Sequence, residues 1–275
     1  MGAQLQLGYR VPQPKTKAAI RNLAPFSPVA IRLLLLLRKE NVSYREVMDI
    51  LKTDAAFCVE LLRVANSAAM GCRFPTDSIL QALTLLGIPR FSSLTITLAM
   101  TKFLRPVATL PVLRSCWRHN LATALAASEI ASRRNVDSDT AYVYGLLHDI
   151  GRLGLLVAFP KSYVEIADIA NLGNQSLSQL ELAAFGFDHR EFGAWVAVQW
   201  NLPPDVVDVS LSHGADGNPV TPISKLVSQA CRIANRIGFS VSERLVKAEL
   251  SDGEPGEMGH RIIEQVNRIE QEYGL

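Results

Sequence analysis

His148 and Asp149 are adjacent in the run Tyr144-Gly145-Leu146-Leu147-His148-Asp149-Ile150-Gly151-Arg152. A neighbouring imidazole and carboxylate can hold one metal ion, and the carboxylate can also reach a second. The chain has five histidines, and three of the others fall within or at the ends of segments that read as helices: His119 upstream, His189 and His213 downstream. Ligands drawn from different helices are what a site inside a helical bundle requires. His119, His148, Asp149, His189 and His213 are therefore candidate ligands of one metal centre. Imidazoles and a carboxylate suit a divalent iron, manganese, zinc or nickel ion. A lone histidine on an apolar helix is more often a hydrogen-bonded core or surface residue, so the signal lies in the set and not in any one member. His260, in Gly259-His260-Arg261, lacks that context and is expected to be exposed.

The elements that must position these residues are helical almost throughout, because apolar clusters recur at three- and four-residue steps and no useful alternating strand is visible. Pro25 and Pro28 open a helix through Ile31 to Leu37, and Ser43 with Glu46 forms a capping box for the next. Asp54 starts a helix through Leu61 and Ala65, with Gly71 soon after it. Asp77 or Ser78 caps another that Gly87 and Pro89 end, and Phe91 to Phe103 is a further apolar helix. A long alanine-rich helix carries Trp117, His119, Leu121 and Ala131. The next helix runs from about Asp139 through His148-Asp149 to Gly151. Ser178 with Glu181 caps a short helix to Phe185, Asp188 with Glu191 caps one ending near Trp200, and Asp205 restarts a helix to Ser212-His213. A final core helix covers Ile223 to Ile237. Ile262, Val266, Ile269 and Tyr273 form an apolar stripe on a terminal helix, expected to dock on the rest of the chain.

Pro106 and Pro111 mark a boundary. The expected organisation is a flexible basic tail over 1–21, an N-terminal helical half over 22–105, a second helical half over 106–240, and a C-terminal extension over 241–275 whose first part, 241–250, reads as a short amphipathic helix. The tail contains Arg10, Lys15, Lys17 and Arg21 and no acidic residue.

Composition excludes several function classes. With 275 residues and a hydrophobic fraction of 48%, the chain can bury a large core and is not disordered in bulk. A net charge of +2 argues against a nucleic-acid footprint or a polybasic membrane surface. Cys58, Cys72, Cys116 and Cys231 form no CxxC pair, which reads as reduced thiols of a cytoplasmic protein. The leucine run 33–37 is far short of the ~20 apolar residues that span a bilayer, and no signal peptide is visible. There is no GxSxG, P-loop or dinucleotide fingerprint. Asn66-Ser67 has no base beside it and is expected to hydrogen-bond backbone at a helix end. A helix-turn-helix reading of the first half is discounted, since Thr84 to Ala99 carries Arg90 as its single arginine.

The combined pattern resembles the HDOD domain, a signalling-associated offshoot of the HD metal phosphohydrolases. The matching text in the second half is Trp117-Arg118-His119-Asn120, Gly145 to Gly151, Glu181, Phe185-Gly186-Phe187-Asp188-His189 and Trp200-Asn201-Leu202-Pro203. In the first half it is Leu23 to Pro28, Asp54-Ala55-Ala56, Leu61 to Ala68, and Ser78-Ile79 to Leu86-Gly87, so about 22–240 is covered. The resemblance implies an all-α, multi-helix HD-like bundle, with an N-terminal helical subdomain packed on a degenerate HD subdomain. It also implies a role in bacterial signal transduction, commonly without catalysis. Active relatives use a first histidine, the His-Asp doublet and a final aspartate, with further histidines in the two-metal cyclic-dinucleotide phosphodiesterases. On that correspondence His119, His148, Asp149, His189 and His213 map onto ligand positions.

Three departures matter. In Ser228-Gln229-Ala230-Cys231-Arg232-Ile233-Ala234 the place of the final aspartate is held by Cys231, a softer ligand that favours zinc and more often a small buried apolar residue. The downstream double histidine is reduced to Ser212-His213, and no GYP signature follows it. No lysine or arginine cluster stands near the doublet for gripping phosphates except Arg152, and Arg118 next to His119, and Arg118 would point about 100° away from His119 on a helix. The leading expectation is thus a regulatory module that binds signalling proteins or a nucleotide messenger, with one divalent metal ion at most and with an oligomer compatible with the chain. The alternative is a metal-dependent phosphohydrolase acting on a nucleotide or cyclic dinucleotide, with Asp149 as the catalytic carboxylate.

Overall fold

The computed structural model describes residue 23 and residues 25–39, 41–67, 76–172, 175–214, 218–241 and 256–273. The tail over 1–21, Gly71 and the 241–250 helix expected from the sequence lie outside the described residues, except Val241. Among the described residues the chain is all-α, without strands.

The N-terminal elements are α1 (Pro28–Leu36), α2 (Tyr44–Leu51), α3 (Ala55–Ala65), α4 (Ile79–Leu86) and α5 (Ile88–Leu104). Local capping explains most of their starts. Ser43 and Glu46 form the capping box of α2, Asp54 accepts from the Phe57 N–H at 2.9 Å, and Ser78, not Asp77, caps α4. Asn66 exchanges hydrogen bonds with the backbone of Thr76, the structural role its position suggested. One expectation needs correction. Pro89 does not help to end α4; it sits in the first turn of α5, where its missing N–H has no helical partner to lose, and Gly87 at φ 73° makes the corner alone. The apolar helix therefore begins at Ile88 instead of Phe91.

The second group comprises α6 (Pro111–Arg133), α7 (Ser138–Leu147), α8 (Ile150–Ala158), α9 (Pro160–Leu172), α10 (Leu177–Phe185), α11 (His189–Gln199), α12 (Pro204–Ser212) and α13 (Pro222–Ala234). A π-turn follows at Asn235–Phe239, and α14 (Glu257–Tyr273) comes last. Two helices, α8 and α9, were not foreseen. The expected continuous helix from Asp139 to Gly151 is instead broken between α7 and α8, at the His-Asp doublet itself.

Small residues set the closest helix contacts. On α7, Gly145 lies against the Ala124 backbone of α6, and a Cβ there would stand 2.7 Å from Ala124 Cα. On α8, a Cβ at Gly151 would collide with the His189 carbonyl and the Gly193 backbone of α11. Around these contacts the buried side chains form one continuous apolar cluster that reaches from Phe26 through Trp117 to Val266. Each fully buried aliphatic or aromatic side chain in it contributes roughly 1.5–3 kcal/mol. The terminal helix α14 docks on α6, with Ile262 and Val266 buried as the apolar stripe required. Glu270 of α14 pairs there with Arg114 and Arg118.

Candidate metal centre

His148 and Asp149 occupy the turn between α7 and α8. Asp149 stands at the N-cap position of α8, where an aspartate would ordinarily accept from the helix's first N–H groups. It does not do so. Its Oδ2 accepts from Arg152 Nε at 2.6 Å, while Oδ1 is buried without a hydrogen-bond partner, 3.7 Å from His213 Nε2. The break in the helix turns the carboxylate inward, toward the histidines.

His119 comes from α6, and its Nδ1 lies 2.8 Å from the Phe239 carbonyl in the π-turn. His148 Nδ1 lies 2.7 Å from the Gly145 carbonyl, and His213, just past α12, has Nδ1 3.2 Å from the Val209 carbonyl. A carbonyl can only accept, so in the neutral ring each Nδ1 carries the proton and each Nε2 presents a lone pair. Burial pushes the pKa of all three histidines down to about 3, which keeps them neutral near pH 7.

The consequence is a convergence of acceptors. His119 Nε2 faces His148 Nε2 at 3.2 Å, and His213 Nε2, without a hydrogen-bond partner, faces the orphaned Asp149 Oδ1. The nearest donor to the pair formed by His119 and His148 is the Cys231 thiol, with Sγ 3.6 Å from His119 Nε2. Burial pushes that thiol up to about 12, so it is at best a weak S–H donor in the metal-free protein. Lone pairs pointed at one another in a dry interior are costly unless a cation sits among them. The residues fit a divalent metal ion on this ground. His148 is shared by two sets of potential ligands, one with His119 and Cys231 and the other with Asp149 and His213.

The structure thus brings together four of the five expected residues, His119, His148, Asp149 and His213. His189, the first residue of α11, stands beside them, with Nε2 4.0 Å from Asp149 Oδ1, but both its ring nitrogens are engaged by other residues. Its Nδ1 lies 2.5 Å from Glu181 Oε2 and its Nε2 lies 2.9 Å from Arg152 Nη2. A guanidinium has only donors, so Nε2 accepts from Arg152 and Nδ1–H donates to Glu181. His260 is exposed on α14, as expected. Arg118 points away from the histidines and reaches Glu270 and Asn267.

A polar network behind the doublet was not foreseen. Glu181 was expected to cap α10 with Ser178, but the capping box is Ser176 with Gln179. Glu181 is fully buried and accepts from Tyr163 Oη at 2.6 Å, from the His189 N–H at 2.9 Å and from Arg152 Nη1 at 3.3 Å. Burial pushes Glu181 up, and its contacts with His189 and Arg152 more than offset this, holding it below its ordinary 4.5. Burial likewise opposes ionisation of Asp149, but Arg152 beside it keeps the carboxyl well below the usual carboxylate range. The available signal for this network was an acidic residue, Glu181, inside the apolar run Leu180, Leu182, Ala183, Ala184.

The HDOD domain family matches residues 23–215. An uncharacterised protein of Treponema pallidum (strain Nichols) is 24% identical over 176 residues, which is 63% of this chain and 34% of that protein, so the chain spans about a third of that relative's length. Three solved structures share the fold. An HDOD domain protein from Geobacter sulfurreducens superposes with TM-score 0.69 at 20% identity, over 94% of this chain and 96% of its own. A structure from Shewanella amazonensis SB2B, whose name proposes a phosphohydrolase, gives 0.68 at 20% identity over 94% and 98%. One from Marinobacter aquaeolei VT8, whose name proposes a role in signal transduction, gives 0.69 at 18% identity over 97% and 61%. With the family pattern spanning both groups of helices and the His-Asp turn at their centre, the chain belongs to the HDOD domain family.

Proposed function

We propose that the chain is a cytoplasmic signal-transduction module in which one divalent metal ion, bound at His148, Asp149 and His213 with His119 beside them, fixes the arrangement of the helices offered to a partner protein or a nucleotide messenger. The observation that carries this reading is the convergence of Asp149 Oδ1 with the His119, His148 and His213 Nε2 atoms, beside which the structure gives only the weak Cys231 thiol as a donor. The centre is also closed over: none of its histidines is more than 5% exposed, and Asp149 is 2% exposed. An open cavity of about 550 Å³ lies elsewhere, lined by Leu34, Arg38, Arg134, Tyr144, Asp205 and Leu226, and contains no member of the cluster. A buried ion that ties α6, α7 and α12 together suits regulation by shape better than turnover of a substrate. The Marinobacter structure's name favours the same role.

The alternative, a phosphohydrolase for a nucleotide or cyclic dinucleotide, is favoured by the free Oδ1 of Asp149 and by the name of the Shewanella structure. A bound metal would supply Lewis acidity and a more acidic water there. Asp149 would be the carboxylate that orients the water, and His213 would stand beside it. The two readings separate in one assay. Manganese-loaded protein is incubated with a generic phosphodiester, bis(4-nitrophenyl) phosphate, and with a cyclic dinucleotide. The regulatory reading predicts no release above that of Asp149→Ala. Release that the wild type supports and Asp149→Ala lacks would establish the hydrolase.

A further inference from the structure

The two oxygens of Asp149 face opposite surroundings. Oδ1 looks onto the histidine lone pairs and has no donor. Oδ2 is held by Arg152 Nε at 2.6 Å, and behind it the same guanidinium spans to Glu181 Oε1 at 3.3 Å, Tyr163 Oη at 3.4 Å and His189 Nε2 at 2.9 Å. Arg152 is 9% exposed, so its charge is enclosed in protein. Arginine cannot shed its proton at accessible pH, so the guanidinium between the Asp149 and Glu181 carboxylates is a permanent charge. A carboxylate that bridges two metal ions needs both oxygens, and the further ligand at hand for a second ion is His189, whose Nε2 lies 4.0 Å from Asp149 Oδ1. Here Asp149 Oδ2 and His189 Nε2 already serve a fixed monovalent cation.

We propose that Arg152 is the resident cation of the Oδ2 side of Asp149, so that the centre takes a single metal ion, on the Oδ1 side, and His189 is excluded from its ligands. The inference rests on the reading that the centre binds metal, and it adds the number of ions, their side and the residue that sets both. Three features of this chain support it. A second divalent ion would have to push a permanently charged guanidinium off Asp149 inside a buried site, where its other partners, Glu181 and Tyr163, offer no route to solvent. His189 already uses Nδ1 on Glu181 and Nε2 on Arg152, leaving no lone pair to give. Finally, the Glu181 carboxylate also accepts the His189 backbone N–H, which anchors the first turn of α11 in this orientation. Arg152 is a positioning residue in this account: it orients Asp149 and denies a site to a second ion.

The test is metal stoichiometry with manganese as the probe. Wild-type protein is stripped with chelator, dialysed against excess Mn2+ and then against buffer, and bound manganese per chain is measured by elemental mass spectrometry. Crystals from the same preparation locate the ion by anomalous scattering. One equivalent, with its density on Asp149 Oδ1 and His213, supports the proposal. Two equivalents, or density on Asp149 Oδ2 or His189, overturn it while leaving metal binding intact. No bound manganese overturns it together with the reading beneath it. One variant adds a readout that leaves Arg152 in place: His189→Gln keeps a hydrogen-bonding side chain and should change manganese affinity less than twofold. A tenfold loss in His189→Gln, with unchanged circular dichroism, would make His189 a ligand and overturn the proposal.

Discussion

Glu181 holds His189 twice with one oxygen: Oε2 accepts both the His189 backbone N–H and its Nδ1–H. The other oxygen accepts from Tyr163 and Arg152, so a single carboxylate on α10 joins α8, α9 and the start of α11. Removing it takes one of two carboxylates from the buried Arg152 guanidinium and leaves the Tyr163 hydroxyl and the His189 N–H groups without their acceptor. Glu181→Ala should lose about 3–5 kcal/mol of unfolding free energy, the range for breaking one partner out of a buried ion pair. Urea unfolding followed by circular dichroism measures it. A loss below 1 kcal/mol would mean the network contributes little.

Tyr163→Phe deletes one hydroxyl of that network, which donates to Glu181 at 2.6 Å and accepts from Arg152 at 3.4 Å. The ring remains packed in the core, so the loss is that of a hydrogen bond to a charged group, about 1.5–3 kcal/mol. The same urea titration should rank it clearly below Glu181→Ala. Equal losses would place the weight on the Tyr163 hydroxyl and not on the ion pair.

Gly151→Ala should loosen the crossing of α8 and α11. The added Cβ meets backbone, the His189 carbonyl and Gly193, which cannot swing away as a side-chain tip could. A destabilisation of about 1–3 kcal/mol is expected for such overpacking. Gly256→Ala is the control, because nothing lies within 4 Å of its Cβ position. Thermal melts of the two variants should differ, with Gly256→Ala indistinguishable from wild type.

Docking of α14 should weaken in acid. Burial pushes the Glu270 carboxyl up, but Arg114 and Arg118 outweigh it and hold the folded-state pKa below 4.5. The unfolded chain therefore takes up the proton first as pH falls. The stabilisation is complete above about 4.5 and is lost as pH drops through the folded-state value. Hydrogen exchange of 257–271 should accelerate between pH 5 and pH 3 in wild type relative to Glu270→Gln, whose intrinsic-rate-corrected protection should stay level. Parallel profiles would remove Glu270 as the cause.

The helices, the caps at Ser43, Asp54 and Asp188, and the buried stripe of α14 are legible in the sequence because each is set by residues within a few positions of one another. The meeting of His119, His148, Asp149 and His213 is legible through the family pattern that spaces them. The break at the doublet is not, since the helical periodicity runs on through Leu146, Leu147 and Ile150, and at the turn Asp149 bonds the Arg152 side chain instead of capping α8. Glu181 is misleading locally: three residues after a serine it reads as a cap, whereas its partners lie on α8, α9 and α11. The engagement of both His189 ring nitrogens by Glu181 and Arg152, with the ring only 5.2 Å from that of His213, follows from that same long-range network.

The central claim is that the convergent acceptors hold one divalent ion, and elemental mass spectrometry of the wild-type chain, purified without affinity tag or added metal, tests it most directly. The account predicts close to one equivalent of iron, manganese, zinc or nickel per chain, lost in Asp149→Ala. A chain that arrives without metal and stays without it after incubation with each of those ions would contradict it.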